Sequence, residues 1–292
     1  MSEVQPPASP QQPGEPRARF GWRNRRRRRR RTRAERQRGF VTILPSLLTT
    51  GNLAAGFWSI TLSMHGELEW AARAIMIGGI FDAADGRVAR LANATSRFGA
   101  QYDSISDTVS FGVAPAILAY SAASLPQLGW AGWVIAFLYA ACAGLRLARF
   151  NVSPGRFADR FDGLPSPPAA GMMLSSVFLG IWLREQGLPI RMPPWLAGIG
   201  VAIVALLMVS PIPYLSFKHV KIKHPYRALV LAVIGIAALM VQYKLTLFCV
   251  GVVYVASGPV EWLWRRQTGR TLEGGSSEST HAPTGTETGG AP

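Results

Sequence analysis

Four carboxylates, Asp82, Asp85, Asp103 and Asp107, are the residues of this chain whose type and spacing point most directly to chemistry. They fall in the stretch FDAADGRVARLANATSRFGAQYDSISD, residues 81–107, with an apolar segment on either side. On helices, Asp82 and Asp85 are three apart and Asp103 and Asp107 four apart, so each pair shares one face. A solvated acidic helix end would account for one such pair. It does not account for two pairs flanked by Gly86, Arg90 and Gly99. Four like charges in one place need cations, and hard carboxylate oxygens favour Mg²⁺ or Mn²⁺. Two divalent ions bridged by shared carboxylates would clamp a diphosphate. Gly86 lets a ligand approach the helix backbone, and Arg90, one turn on, can neutralise phosphate. The chemistry expected of such a site is phosphoryl transfer, driven by positioning and charge stabilisation.

The elements that must bring these carboxylates together are apolar. The chain has 292 residues, is 49% hydrophobic and only 16% charged, and carries a formal net charge of +15. Its long apolar runs predict an all-α, polytopic transmembrane helical bundle of about eight spans. These are 43–63, 70–92, 102–124, 130–150, 169–184, 195–212, 228–241 and 245–264. The last two are separated only by residues around Tyr243 and Lys244, which predicts a tight helical hairpin. Asn52 lies in the first apolar run and needs a partner, either another helix or a ligand. Cys142 and Cys249 both sit in apolar runs and read as small buried hydrophobes, not as a disulfide framework. No internal repeat is evident.

Three domains follow: a tail of 1–39, a membrane domain of 40–265 and a second tail of 266–292. Composition predicts disorder for both tails. Thirteen arginines lie between Arg17 and Arg38. A basic tail can bind nucleic acid, but no motif for that accompanies it, and no nucleic-acid partner is expected. A topogenic cytoplasmic tail that favours anionic lipid headgroups fits better. The apolar run after it is too long for a signal peptide, so an uncleaved first span is expected. With this tail inside, the segments 1–40, 92–101, 151–168, 214–227 and 265–292 hold most of the basic residues. Both termini are therefore expected to be cytoplasmic, in an integral protein of the cell inner membrane whose aspartates face the cytoplasm.

The pattern Asp82-x-x-Asp85-Gly86-x-x-Ala89-Arg90, eight residues, Gly99-x-x-x-Asp103-x-x-x-Asp107 resembles the full signature of the CDP-alcohol phosphatidyltransferases. The resemblance implies a helical membrane enzyme that moves a phosphatidyl group from a CDP-linked lipid to an alcohol and releases CMP. Carried over by position, Asp82, Asp85, Asp103 and Asp107 would ligate metal, Asp107 serving also as general base. Gly86, Ala89, Arg90 and Gly99 would shape the CDP site, and Asn52 matches an asparagine often found near the nucleotide. The chemistry of the residues agrees, since an alcohol is a weak nucleophile and needs a nearby carboxylate to take its proton.

Outside the signature, ILPSLLTTGNLAAGF, SFGVAPA, GLRLARFN and GLPSPPAA are similar to the bacterial membrane-integrated phosphatidylserine synthases, over roughly residues 40–265. The departures are the two tails and the serine of GLPSPPAA, where a threonine is more usual. That resemblance implies CDP-diacylglycerol and L-serine as substrates within a lipid bilayer, and a homodimer. Arg146 and Arg149, three apart and followed by Asn151, are candidates to hold the acceptor's carboxylate or a lipid phosphate. Glycerol-3-phosphate and inositol phosphate also suit an arginine pair and remain alternative acceptors. An ion or proton transporter would also use intramembrane carboxylates, but near mid-span and often in inverted repeats.

Overall fold

The computed structural model describes residues 44–91, 96–152, 160–188, 192–215 and 225–268. Most of both expected tails lies outside these residues. The order is α1 (44–64), α2 (Leu68–Leu91), α3 (Arg97–Asp107), a π-helical turn (Thr108–Val113) and α4 (Ala114–Ala122). A 3₁₀ turn (Leu125–Leu128), α5 (Trp130–Val152), β1 (Arg160–Asp162) and α6 (Ser166–Glu185) follow. The chain closes with α7 (Pro194–Val209), β2 (Pro213–Leu215) and α8 (Pro225–Thr268). The fold is all-α apart from the short antiparallel pair of β1 and β2.

Local sequence explains the boundaries. Glu69 in the first turn of α2 and Arg90 in its last turn complement the helix dipole. Ser96 caps α3 by accepting the Gly99 N–H at 2.9 Å, so this helix starts five residues earlier than the apolar pattern implies. Prolines open α6 and α7, where a missing N–H costs nothing.

Three expectations are corrected. The span expected over 102–124 is interrupted by the π turn directly after Asp107. Pro115 has no N–H to return to the Phe111 carbonyl, and the buried Tyr139 hydroxyl donates to that carbonyl instead, at 3.4 Å. The loops expected at 151–168 and 214–227 contain the strand pair, with Phe161 opposite Tyr214. Gly163, at φ +82°, allows the approach: its N–H reaches Ile212 O at 2.9 Å, and a Cβ there would strike the Met208 backbone. Cys249 is exposed on the chain, whereas Cys142 is buried, and both are free thiols.

The turn expected near Tyr243 and Lys244 falls at Gln242, whose φ −149° and ψ 72° break α8. Thr246 Oγ1 lies 3.1 Å from Ala238 O, eight residues back. A straight helix would separate those levels by about 12 Å, so the chain bends sharply there. At the far end α8 stays helical to Thr268, three residues into the expected tail.

Two apolar clusters hold the helices. One joins Tyr139, Leu164, Val201, Val204, Met208 and Tyr214 across α5, α7 and the strand pair. The other packs Ala71, Ala72 and Ile75 of α2 against Phe111, Leu118 and Phe178. Large apolar side chains cover much of the outside, among them Trp130, Trp133, Phe137 and Leu206. Such a surface suits lipid, not water. By length and composition, three helices can cross a membrane: Trp130–Val152, Ser166–Glu185 and the stretch Val233–Trp264 of α8; α7 is a shorter apolar helix.

Candidate active site

Asp85 lies six residues before the end of α2 at Leu91, and Asp103 lies six residues after the start of α3 at Arg97. Equal arms on either side of a short connection bring the two pairs level. Asp82, Asp85 and Asp103 each present a ligand oxygen, and these oxygens lie within 4.8 Å of one another. Asp107 is outside that triad but sits against Asp82. At such separations each like-charged pair costs on the order of 3–4 kcal/mol at an effective dielectric near 20. Three pairs together approach the whole stability of an ordinary domain. A bound cation removes that cost.

The donors fit a divalent ion. All are hard carboxylate oxygens, and Asp103 Oδ1 is buried with no hydrogen-bond partner among the described residues. Asp85 is fixed instead: it receives the Thr49 hydroxyl at 2.8 Å on Oδ2 and the Gly86 N–H. Asp107 Oδ1 accepts from Asn52 Nδ2 at 3.0 Å. Asn52 thus finds its partner on another helix.

Helix α1 reaches both pairs because small residues let it approach. A Cβ on Gly56 would collide with Ser110, lying 2.8 Å from its Cα, and one on Gly78 would come within 3.0 Å of Asn52 Oδ1. Two serines then tie the backbones together: Ser106 Oγ donates to Thr49 O at 3.0 Å and Ser110 Oγ to Asn52 O at 2.9 Å. Thr49, Ser106 and Ser110 were not among the candidates drawn from the sequence. Their signal was present, since Thr49 stands three residues before Asn52 and the two serines are four apart, each pair on one face.

The remaining candidates divide into two groups. The Arg90 guanidinium lies over Gly86, with Nη1 3.5 Å from where a Cβ would stand, and Ala89 is half-buried beside them. Gly99 leaves room for the capping Ser96 hydroxyl, 3.1 Å from its own absent Cβ. Asn151 belongs with this end, donating from Nδ2 to Ser104 Oγ at 2.9 Å, and Arg149 is exposed nearby on the same helix end. Arg146 is turned elsewhere. Its Nη1 donates to Ser166 Oγ at 3.1 Å, the Tyr254 hydroxyl is a neighbour, and its buried Nε has no partner among the described residues.

Residues 42–209 match the CDP-alcohol phosphatidyltransferase family. This chain belongs to that family. The matched span holds both aspartate pairs, all of α1 to α7 and the residues Arg146, Arg149 and Asn151, leaving α8 beyond it.

Among relatives of this phosphatidyltransferase is the CDP-diacylglycerol–serine O-phosphatidyltransferase of Mycobacterium tuberculosis, 35% identical over 202 residues, covering 67% of this chain and 69% of the relative. The enzyme of that name from Helicobacter pylori is 31% identical over 225 residues, 76% of this chain and 92% of its own. That from Bacillus subtilis is 37% identical over 175 residues, 60% and 91% respectively. Family membership makes the chain a transferase and gives the aspartate cluster a reaction to serve.

Proposed function

We propose that this phosphatidyltransferase makes phosphatidylserine and CMP from CDP-diacylglycerol and L-serine. One observation carries the chemistry: Asp82, Asp85 and Asp103 from α2 and α3 converge with Asp107 against Asp82, and a buried Asp103 oxygen has no partner among the described residues. Serine as acceptor is supported by the names of the relatives and by a half-buried arginine, Arg146, suited to a carboxylate.

In this mechanism Asp82, Asp85, Asp103 and Asp107 would hold Mg²⁺ or Mn²⁺, two ions being the expected number. Bound there, the metal stabilises charge on the diphosphate and on departing CMP. Gly86, Ala89, Arg90 and Gly99 line the nucleotide side, with Arg90 placed to neutralise phosphate. Asn52 keeps Asp107 oriented at the same side. Asp107 takes the proton of the serine hydroxyl as its oxygen attacks phosphorus, and the bond from phosphorus to CMP breaks. Arg149 and Asn151, at the aspartate end, and Arg146, which faces Ser166 from the same helix with an Nε that has no partner among the described residues, are the residues assigned to the acceptor.

The same reading places the domain, residues 40–265, in the inner membrane as about eight spans, with both termini and the site cytoplasmic and a homodimer as the assembly. The support for the orientation is the excess of basic residues in the sequence segments expected on the cytoplasmic side.

The deciding experiment is CMP release from CDP-diacylglycerol by the purified protein, with serine, glycerol-3-phosphate and inositol phosphate offered separately. Serine-dependent release is expected. Release with another acceptor alone would keep the chemistry and remove serine, and no release with any of them would sink the enzyme reading.

A further inference from the structure

We infer that Thr49, on α1, is a positioning residue for Asp85, holding its carboxylate so that one oxygen points into the cation-binding triad. Both residues are 5% exposed, and the hydroxyl lies 2.8 Å from Asp85 Oδ2. The Thr49 hydroxyl has a single proton and two acceptors in reach, Asp85 and the Pro45 carbonyl at 3.0 Å. The carboxylate is the closer and the stronger, because a hydrogen bond to a charged acceptor is roughly twice as strong as a neutral one. Thr49 is itself held. Its hydroxyl is within reach of the Pro45 carbonyl one turn back, and its own carbonyl accepts the Ser106 hydroxyl at 3.0 Å.

The arrangement repeats one turn later. Asn52 Nδ2 donates a hydrogen bond to Asp107 and its backbone carbonyl accepts one from the Ser110 hydroxyl. Helix α1 therefore contributes no ligand to the triad, yet it sets one carboxylate of each pair. Partners that orient metal ligands in this way typically change metal affinity by about 10–100-fold when removed.

This role rests on the aspartates being a divalent-metal site, and its test reads metal directly. Mn²⁺ binding to the purified full chain in detergent, without substrate, is followed by electron paramagnetic resonance. Thr49→Val, which keeps the shape and loses the hydroxyl, is expected to weaken binding by about 10–100-fold. Thr49→Ser is expected to keep the parent affinity. In turnover, the Mn²⁺ concentration for half-activation should rise by the same factor in Thr49→Val while the rate at saturating Mn²⁺ recovers. Should Thr49→Val fail to fold, Thr49→Ala replaces it with the same expectation. Parent affinity in the hydroxyl-free variant, or equal loss in Thr49→Ser, overturns the role while leaving the metal site. Absence of Mn²⁺ binding by the unaltered chain removes both.

Discussion

The two ends of α2 hold charge in opposite ways. At its start, Glu69 meets Arg73 at 2.6 Å and Lys244 at 3.3 Å, and Lys244 also reaches Glu185 at 2.7 Å. Two anions and two cations from α2, α6 and the break in α8 cancel, and Lys244 is only 7% exposed. Toward its other end, Asp82 and Asp85 meet Asp103 and Asp107, and no ion pair reaches any of the four among the described residues. Burial is tolerated in both places for different reasons. The first cluster is complete in itself and works as a staple for the bend at Gln242. The second is a set of ligands with no ion-pair partner among the described residues, and a bound cation would balance it.

The sharpest way to break this contrast is at the carboxylates. Asp107→Asn removes the base and should lower CMP turnover by about 10²–10⁴-fold, measured at saturating metal. Chelation with EDTA should abolish turnover, with recovery on adding Mn²⁺ or Mg²⁺. Metal at about 100 times its dissociation constant should also add about 2.7 kcal/mol to stability, read as a rise in melting temperature. Lys244→Met should lower stability by about 1–3 kcal/mol, as expected for losing charged hydrogen bonds, yet leave the Mn²⁺ activation constant where it was. A shift in that constant would mean that the two ends are coupled. Gly56→Ala should cost about 1–3 kcal/mol by forcing α1 away from Ser110, and here activity and stability should fall together. The smallest effect belongs to Arg73→Gln, a partly exposed i,i+4 pair whose loss should stay below about 1 kcal/mol in thermal unfolding.

The convergence of the aspartates was legible because helical spacing fixes which residues share a face, and the connection between α2 and α3 is too short to allow another meeting point. The third apolar run was legible as helix but not as a broken one. Pro115 announces only that the Phe111 carbonyl loses a donor; that Tyr139, far along the chain, supplies another is a tertiary fact. The strand pair was hidden because three-residue strands carry no periodicity, and Gly163 signals a close approach without naming Met208 as the neighbour. Asn52 stood out as a polar residue in an apolar run, but Thr49 did not, since threonine can satisfy itself on its own helix. Arg146 shows the opposite limit. Its spacing from Arg149 suggested a pair, yet helix rotation sends Arg146 to Ser166 and leaves Arg149 exposed.

The π turn after Asp107 amounts to one extra residue in an otherwise continuous rod, and each residue in a helix corresponds to about 100° of rotation. It works as a phase shift. The face that α3 must show to α1 and α2 is set independently of the face that α4 must bury through Ala114 and Leu118. A single deletion between Thr108 and Val113 would restore a regular helix and leave composition almost unchanged. It would also turn Asp103 and Asp107 about a quarter-circle away from their partners.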